Sequence, residues 1–301
     1  MSVIIPVYNG EKYLERCLES VLNQSYYNIH LLILNDASTD NSDNIIKKYL
    51  TLDDRIQYIR NESRLGPAQT RNKGLAHVSS TYIMFLDCDD WIDLNCIEKA
   101  MEKFQTDTEI DIVLWEIKTA FETTKISSRY KYQYNNTISN YMALNLLSHT
   151  CENEFFLSPL LGCKIFKKTL LDFQEISFPD TIYEDDMFTF LAFLNSRKIG
   201  LITGSCLYYY QHPSSLTHHF TERNIFDFFN TFHILYGHVT NENKEHFYKY
   251  LSKSMQAMIN NMIVNVADFE LQAKYKSMIF TQFNNTFDIS EYYTFVHHLI
   301  I

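Results

Sequence analysis

Three aspartates within four positions, Asp87, Asp89 and Asp90, follow directly on the apolar run Ile83-Met84-Phe85-Leu86, in the segment Asp87-Cys88-Asp89-Asp90-Trp91. Carboxylate oxygens suit a hard divalent cation such as Mg²⁺ or Mn²⁺, and a cation held by only one or two protein carboxylates completes its shell with phosphate oxygens. An apolar strand ending in such a cluster therefore points to a diphosphate ligand at a sheet edge. The competing reading is an acidic turn ahead of a helix starting near Leu94, because carboxylates favour a helix N-terminus. A calcium loop of the EF-hand type fits poorly. Trp91 stands where that loop needs an oxygen ligand, and Ile92 where its turn needs glycine.

The elements that must position this cluster are legible upstream. Val3-Ile4-Ile5-Pro6-Val7 reads as a short buried strand, and Leu14, Cys17, Leu18, Val21 and Leu22 then recur at helical spacing. Residues 29–34 and 56–59 repeat the strand pattern, each followed by a helix, the second opened by Pro67 at a favoured first-turn position. Residues 82–86 form the fourth strand. Such alternation predicts an α/β fold with a mostly parallel sheet, whose ligands bind beyond the carboxyl ends of the strands. Pro6-Val7-Tyr8-Asn9, Asn35-Asp36 and the 87–90 cluster all fall at those ends, and their convergence argues for a site more strongly than any one of them.

Past residues 110–115 the regularity fades. Residues 121–157 mix Tyr, Lys, Asn and Thr without period, as a substrate-specific insertion or a surface excursion would. Apolar patterning returns around the triplet Glu184-Asp185-Asp186, which precedes a helix through Phe188, Leu191 and Phe193. After His219 the chain reads as helical and aromatic, with Phe226, Phe228, Phe229, Phe232, Leu235, Tyr248, Leu251, Met255, Met258 and Met262 in stripes that suit a core or a subunit contact.

Composition narrows the classes. The 301 residues carry a formal net charge of −10, which argues against nucleic acid as a partner. The six cysteines, Cys17, Cys88, Cys96, Cys151, Cys163 and Cys206, show no paired metal-ligand spacing, so reduced cysteines are expected. A strand pattern starting at Ser2 leaves no room for a signal peptide, and no apolar run reaches membrane-span length, which predicts a cytoplasmic location. The sequon Asn61-Glu62-Ser63 is then incidental. There is no P-loop, G-x-G-x-x-G, nucleophile elbow or H-E-x-x-H.

Four motifs in order, Val3-Ile4-Ile5-Pro6-Val7-Tyr8-Asn9, Leu34-Asn35-Asp36-Ala37-Ser38-Thr39-Asp40, Gly66-Pro67-Ala68-Gln69-Thr70-Arg71-Asn72-Lys73-Gly74 and Phe85-Leu86-Asp87-Cys88-Asp89-Asp90, resemble the nucleotide-sugar-binding half of family 2 glycosyltransferases with the GT-A fold. The resemblance is strong over residues 1–115, extends weakly through Glu184-Asp185 and Tyr208-Tyr209-Tyr210, and is absent after about residue 220. It implies a GT-A catalytic domain over 1–219, with nucleotide-sugar binding in 1–115 and acceptor binding in 116–219, followed by a helical region over 220–301.

The resemblance also implies roles. Asp36 matches the carboxylate on the N3 hydrogen of uracil, with Pro6, Val7, Tyr8 and Asn9 lining the same pocket. Arg71 lies in the motif contacting the nucleotide or its phosphates. Asp87 and Asp89 match the ends of the D-x-D motif, Asp89 as metal ligand and Asp87 on ribose or the metal shell. Glu184-Asp185 resembles the motif whose Asp is the general base of inverting members, with Glu184 and Asp186 positioning the acceptor or tuning that base. His212 stands near a position where a basic residue contacts diphosphate or metal, and Gln211 occupies the place where Arg is frequent. Asn35 and Ala37 depart from the Asp and Gly frequent there.

The implied activity moves a sugar from a nucleotide donor, UDP-linked by expectation, to an acceptor hydroxyl with inversion. The divalent ion, Mn²⁺ or Mg²⁺, would neutralise the leaving diphosphate, and a base must sit on the opposite face of the sugar. A glycan, lipid-linked or protein acceptor in bacterial surface-polysaccharide, teichoic-acid or glycoprotein assembly is expected by analogy. The C-terminal helices would supply a homodimer contact or a peripheral contact with the inner face of the membrane. Two other classes compete. A sugar nucleotidyltransferase would need a basic, glycine-rich loop near the N-terminus, and Pro6-Val7-Tyr8-Asn9 has no Lys or Arg. A non-catalytic scaffold would not need Asp36, Asp87, Asp89 and Asp185 together.

Overall fold

A computed structural model describes residues 1–122, 126–130, 136–148, 157–212, 220–288, 290 and 292. Cys151, His219 and much of the aperiodic 121–157 stretch lie outside the described residues. The first half alternates as its hydrophobic periods require: β1 (Ser2–Val7), α1 (Leu14–Leu22), β2 (His30–Asn35), α2 (Ser42–Leu50), β3 (Ile56–Arg60), α3 (Pro67–His77), β4 (Tyr82–Phe85), β5 (Trp91–Ile92), α4 (Cys96–Thr106) and β6 (Ile110–Phe121). Then come β7 (Ile126–Tyr130), β8 (Thr137–Ser139), α5 (Asn140–Ser148), a 3₁₀ turn (Leu161–Cys163), β9 (Lys164–Lys167), α6 (Lys168–Phe173), α7 (Glu184–Asn195) and β10 (Lys198–Gln211). Helices α8 (Glu222–Tyr236), α9 (Lys244–Asn265) and α10 (Phe269–Thr286) complete the described chain.

One sheet runs β3-β2-β1-β4-β9-β6-β10-β5, with β7 beside β6 and β8 beside β10. The β1–β2, β2–β3, β1–β4 and β6–β10 pairs are parallel, while β9 is antiparallel to both β4 and β6. Strands β1, β2 and β4 therefore end on one edge, and their polar termini share it. β6 runs well past Trp115, and nearly every position along it is buried. A strand covered on both faces loses the alternation that marks it in sequence, which is why its second half looked irregular.

Two cores flank the sheet. On one face Val3, Ile5 and Val7 pack with α1, α2 and α4 through residues such as Leu18, Ile46 and Ile97. On the other, Ile4, Leu34 and Phe85 join α3 and α5–α10 in one continuous cluster. Helix α3 approaches β1 so closely that a Cβ on Gly74 would lie 2.6 Å from Cγ2 of Ile4. Phe228, Phe229, Phe232, Leu235, Tyr248, Leu251, Met258 and Met262 are all buried in that second cluster. The aromatic stripes thus serve the core of this chain, and of the stripe residues Phe226 alone is strongly exposed, at 47%. Residue 220 is accordingly a change of secondary structure within shared packing. Among the described residues no helix is long and apolar enough to cross a membrane, and the five described cysteines are free.

Candidate active site

The ends of β1 and β2 are tied together by side chains that the motifs require. Asp36 N donates to Val7 O (2.8 Å), Asn9 N to Ser38 Oγ (3.1 Å) and Thr39 N to Asn9 Oδ1 (2.9 Å). Asn9 and Ala37 both adopt left-handed backbone, with φ of 51° and 57°. That conformation strains an L-residue and explains why glycine is frequent at the second position. Asn35 substitutes for a carboxylate by accepting from Ser38 N (2.8 Å) while donating to Tyr58 Oη (3.1 Å) and Asp43 Oδ1 (3.3 Å).

Asp36, expected on the base, is already engaged. Its Oδ1 accepts from Asn61 Nδ2 (2.9 Å) and Leu65 N (2.8 Å), and its Oδ2 from Gly66 N (2.8 Å). A carboxylate has about four acceptor directions, which leaves Oδ2 one for a ligand N–H. The carboxylate therefore holds the 61–66 loop in place as well as keeping one acceptor direction free. Gly66, at φ 87°, makes that turn and starts α3. Beside the same loop, Tyr8 is 38% exposed and the Arg64 guanidinium lies over its ring at 3.9 Å. Pro6 and Val7 end β1 just before it.

The acidic loop after β4 is anchored on the next sheet edge. Asp90 is buried and accepts from Tyr210 N (2.8 Å) on β10. Burial, then the Asp89 and Asp87 charges, raise its pKa well above the usual carboxylate range. Asp89 Oδ2 lies 3.1 Å from Nε2 of His212. Burial first and Asp87 second raise the Asp89 pKa, with His212 opposing. The His212 ring stacks on Tyr13 at 4.8 Å. Arg16, which sequence reasoning missed, lies over Trp91 at 3.6 Å and Tyr210 at 4.6 Å, and its Nη2 donates to Asp89 O (2.9 Å). Its only signal was helical spacing from Tyr13, too weak to find it.

Asp87 turns the other way. Its Oδ1 meets Arg71 Nη2 at 2.6 Å, while Arg71 Nη1 meets Glu184 Oε1 at 2.7 Å and Asp185 Oδ1 at 3.5 Å. Arg71 is buried, and although burial pulls its pKa down, the Asp87, Asp185 and Glu184 carboxylates hold it above the ordinary arginine value. The terminal nitrogens of Arg71 bind protein carboxylates here, bridging the acidic loop to the first turn of α7. One oxygen of Asp87 is thus paired with the Arg71 cation.

Asp185 Oδ1 is buried without a hydrogen-bond partner. Burial raises its pKa well above the carboxylate range, with Arg71 opposing and Glu184, Asp87 and Asp186 reinforcing. Glu184 acts through Arg71. Asp186 does not join the cluster: its Oδ1 accepts from Tyr250 Oη (2.6 Å) and Ser254 Oγ (3.5 Å) on α9. Its carboxylate docks α9 onto the first turn of α7. Lys164, a second residue missed in sequence, is fully buried and donates to Ser158 O (2.7 Å) and Leu160 O, with burial lowering its pKa.

The structure thus gathers Asp87, Arg71, Glu184 and Asp185 in one ion cluster and Asp89 with His212 beside it, at the edge that also carries Asp36. Among the described residues no group of three or more His, Cys, Asp or Glu side chains is arranged to hold a metal ion by itself. A mostly parallel sheet of this order, flanked by helices on both faces, is of the GT-A class of fold. Residues 2–168 match the model of glycosyl transferase family 2, and the chain belongs to that family.

It is similar to glycosyltransferase GlyA of Streptococcus pneumoniae, at 31% identity over 230 residues, 74% of this chain and 32% of GlyA. The putative glycosyltransferase EpsH of Bacillus subtilis is 28% identical over 229 residues, 74% of this chain and 64% of EpsH. The chain therefore spans between about a third and just under two thirds of these relatives. Poly(ribitol-phosphate) β-N-acetylglucosaminyltransferase TarS of Staphylococcus aureus is 28% identical over 227 residues, 69% of this chain and 35% of TarS. The crystal structure of TarS 1–349 with UDP-GlcNAc superposes with a TM-score of 0.78 at 20% identity, covering 95% of this chain and 80% of that one. A fragment with UDP gives 0.71 at 22% identity, covering 92% and 78%.

Proposed function

We propose that this enzyme transfers a sugar from a UDP-linked donor to an acceptor hydroxyl with inversion, in the assembly of a bacterial surface polymer such as a teichoic acid. One observation carries the reading. Arg71 ties the acidic loop, where a diphosphate would lie, to Asp185, whose buried Oδ1 has no hydrogen bond and lies 3.5 Å from Arg71, with burial raising its pKa toward the range a general base uses. The relatives TarS and GlyA support the class of reaction, and TarS structures with UDP-GlcNAc and UDP support the class of donor.

The divalent ion is part of this proposal. Asp89 and His212 would hold it, Asp87 facing its shell, and the fit rests on chemistry: a carboxylate crowded by a second carboxylate and paired with an imidazole gains from a cation. One oxygen and one nitrogen donor suit Mn²⁺ better than Mg²⁺, which prefers oxygen throughout. When bound, the ion would supply charge neutralisation for the departing diphosphate. Asp36 Oδ2 would accept the base N–H, Tyr8 would cover the base, and Asp185 would take the acceptor proton.

A panel of nucleotide sugars tested with Mn²⁺, Mg²⁺ or EDTA decides the matter. We expect hydrolysis or transfer confined to UDP-sugars, silenced by EDTA and by Asp89→Asn. Full activity in EDTA would remove the metal, and equal use of ADP- or GDP-sugars would remove the uracil reading.

A further inference from the structure

The base sits at a helix end that does not cap itself. Tyr183, at the N-cap of α7, makes no capping side-chain hydrogen bond, whereas most helix starts gain stability from one. The first turn is instead held from two directions, by Arg71 on Glu184 and by α9 on Asp186, with Asp185 between them. The segment leading into it is held by α8: Thr181 Oγ1 meets Thr231 Oγ1 at 2.7 Å, and Ile182 N donates to Asp227 Oδ2 at 3.2 Å.

We propose that Tyr250 is a positioning residue for the transfer reaction, fixing through Asp186 the first turn of α7 and so the direction of the Asp185 carboxylate. This rests on the reading of Asp185 as the base. It places a requirement for the reaction in α9, outside the matched family region of 2–168. Tyr250 is 1% exposed, its ring stacks on Phe190 at 5.4 Å and lies 5.8 Å from Phe232, and its Oη donates to Asp186 Oδ1 at 2.6 Å. The ring is thus seated by α7 and α8 while the hydroxyl alone reaches the acid. Ser254, four residues on, is a weaker second donor at 3.5 Å, and Lys253 of the same face donates to Leu147 O on α5. A helix face of spacing i, i+3, i+4 therefore clamps α7 and α5 together.

Tyr250→Phe removes one hydroxyl and keeps the seated ring, so the variant folds. Two readouts follow. In hydrogen exchange, the amides of residues 181–187 should lose protection at least several-fold relative to the rest of α7. In steady-state transfer, kcat should fall by roughly ten-fold or more, part of the ~10²–10⁴ that a positioned base supplies, while donor KM and UDP affinity stay within two-fold. Asp186→Asn should act like Tyr250→Phe, and the double variant should cost no more than the worse single.

The acid limb of the kcat profile gives a third sign. The Tyr250 hydrogen bond favours the charged form of Asp186, alongside Lys253 and Ser254 and against burial and Glu184. Losing it neutralises Asp186 over more of the pH range and removes a negative charge beside Asp185, which also faces Arg71, Glu184, Asp87 and Lys164. The limb should therefore move to lower pH. If exchange at 181–187 and kcat both match wild type, Tyr250 only packs and the proposal falls. If wild type transfers no sugar, the function reading falls, and the exchange arm alone decides whether Tyr250 holds the turn.

Discussion

Burial holds the Asp185 carboxyl above the ordinary carboxylate range, which suits the proposed base and weighs against stability when it ionises. A carboxyl whose folded pKa is raised favours the neutral form, so its contribution is full below the unfolded value of about 4 and is lost as pH rises through the folded value. We predict that Asp185→Asn melts at a higher temperature than wild type at pH 8, the gap closing as pH falls toward about 4, while transfer drops by about 10²–10⁴ and UDP affinity holds. Scanning calorimetry across pH with matched transfer assays tests this, and a variant that melts lower at pH 8 would make Asp185 a structural acid. Asp36 behaves in the opposite way. Its oxygens hold Asn61, Leu65 and Gly66, so Asp36→Ala should cost about 1.5–3 kcal/mol of folding stability together with UDP affinity. Urea titration and calorimetry on the same preparation separate the two. Loss of affinity at unchanged stability would restore a purely ligand-facing role.

At the scale of elements, the first four strands and the polar turns closing them were legible because each buries an apolar run and ends in residues that turns need. The acidic helix start at Glu184 was legible for the same reason. What could not be read was direction. Sequence adjacency put Glu184, Asp185 and Asp186 in one group, but successive residues on a helix point about 100° apart, so Glu184 and Asp185 face Arg71 while Asp186 turns away to Tyr250. Lys164 was invisible because its partner Ser158 O is a backbone atom without sequence identity, and Arg16 because Trp91, Tyr210 and Asp89 O reach it from distant parts of the chain. The β2–α2 turn offers an element-scale prediction. Ala37 at φ 57° carries strain that glycine lacks, offset by the greater freedom of an unfolded glycine, so Ala37→Gly should stabilise by about 0.5–1 kcal/mol. Chemical denaturation measures it, and a destabilised variant would show that the turn is relaxed around alanine.

At the scale of the molecule, the second core joins β1, β2 and β4 to helices more than a hundred residues downstream. Cutting after residue 219 should leave no cooperative unfolding transition by circular dichroism, and a truncated chain that keeps a sharp transition and binds UDP would make 220–301 a true appendage. The two cores also differ in when they can close during synthesis. The face over α1, α2 and α4 draws almost all its residues from the first 117 positions, so it can bury itself while the ribosome is still working. The opposite face of the same strands waits for Phe228, Tyr250 and Ile279, and the chain is synthesised at about 5–20 residues per second with N-terminal parts folding first. For several seconds the growing chain is half finished, with Ile4, Leu34 and Phe85 facing water. Ribosome-bound chains stalled near residue 150 should therefore recruit a chaperone that binds apolar segments, and chains stalled beyond the exit of α10 should release it. Equal recruitment at both lengths would show that the uncovered face finds a temporary cover of its own.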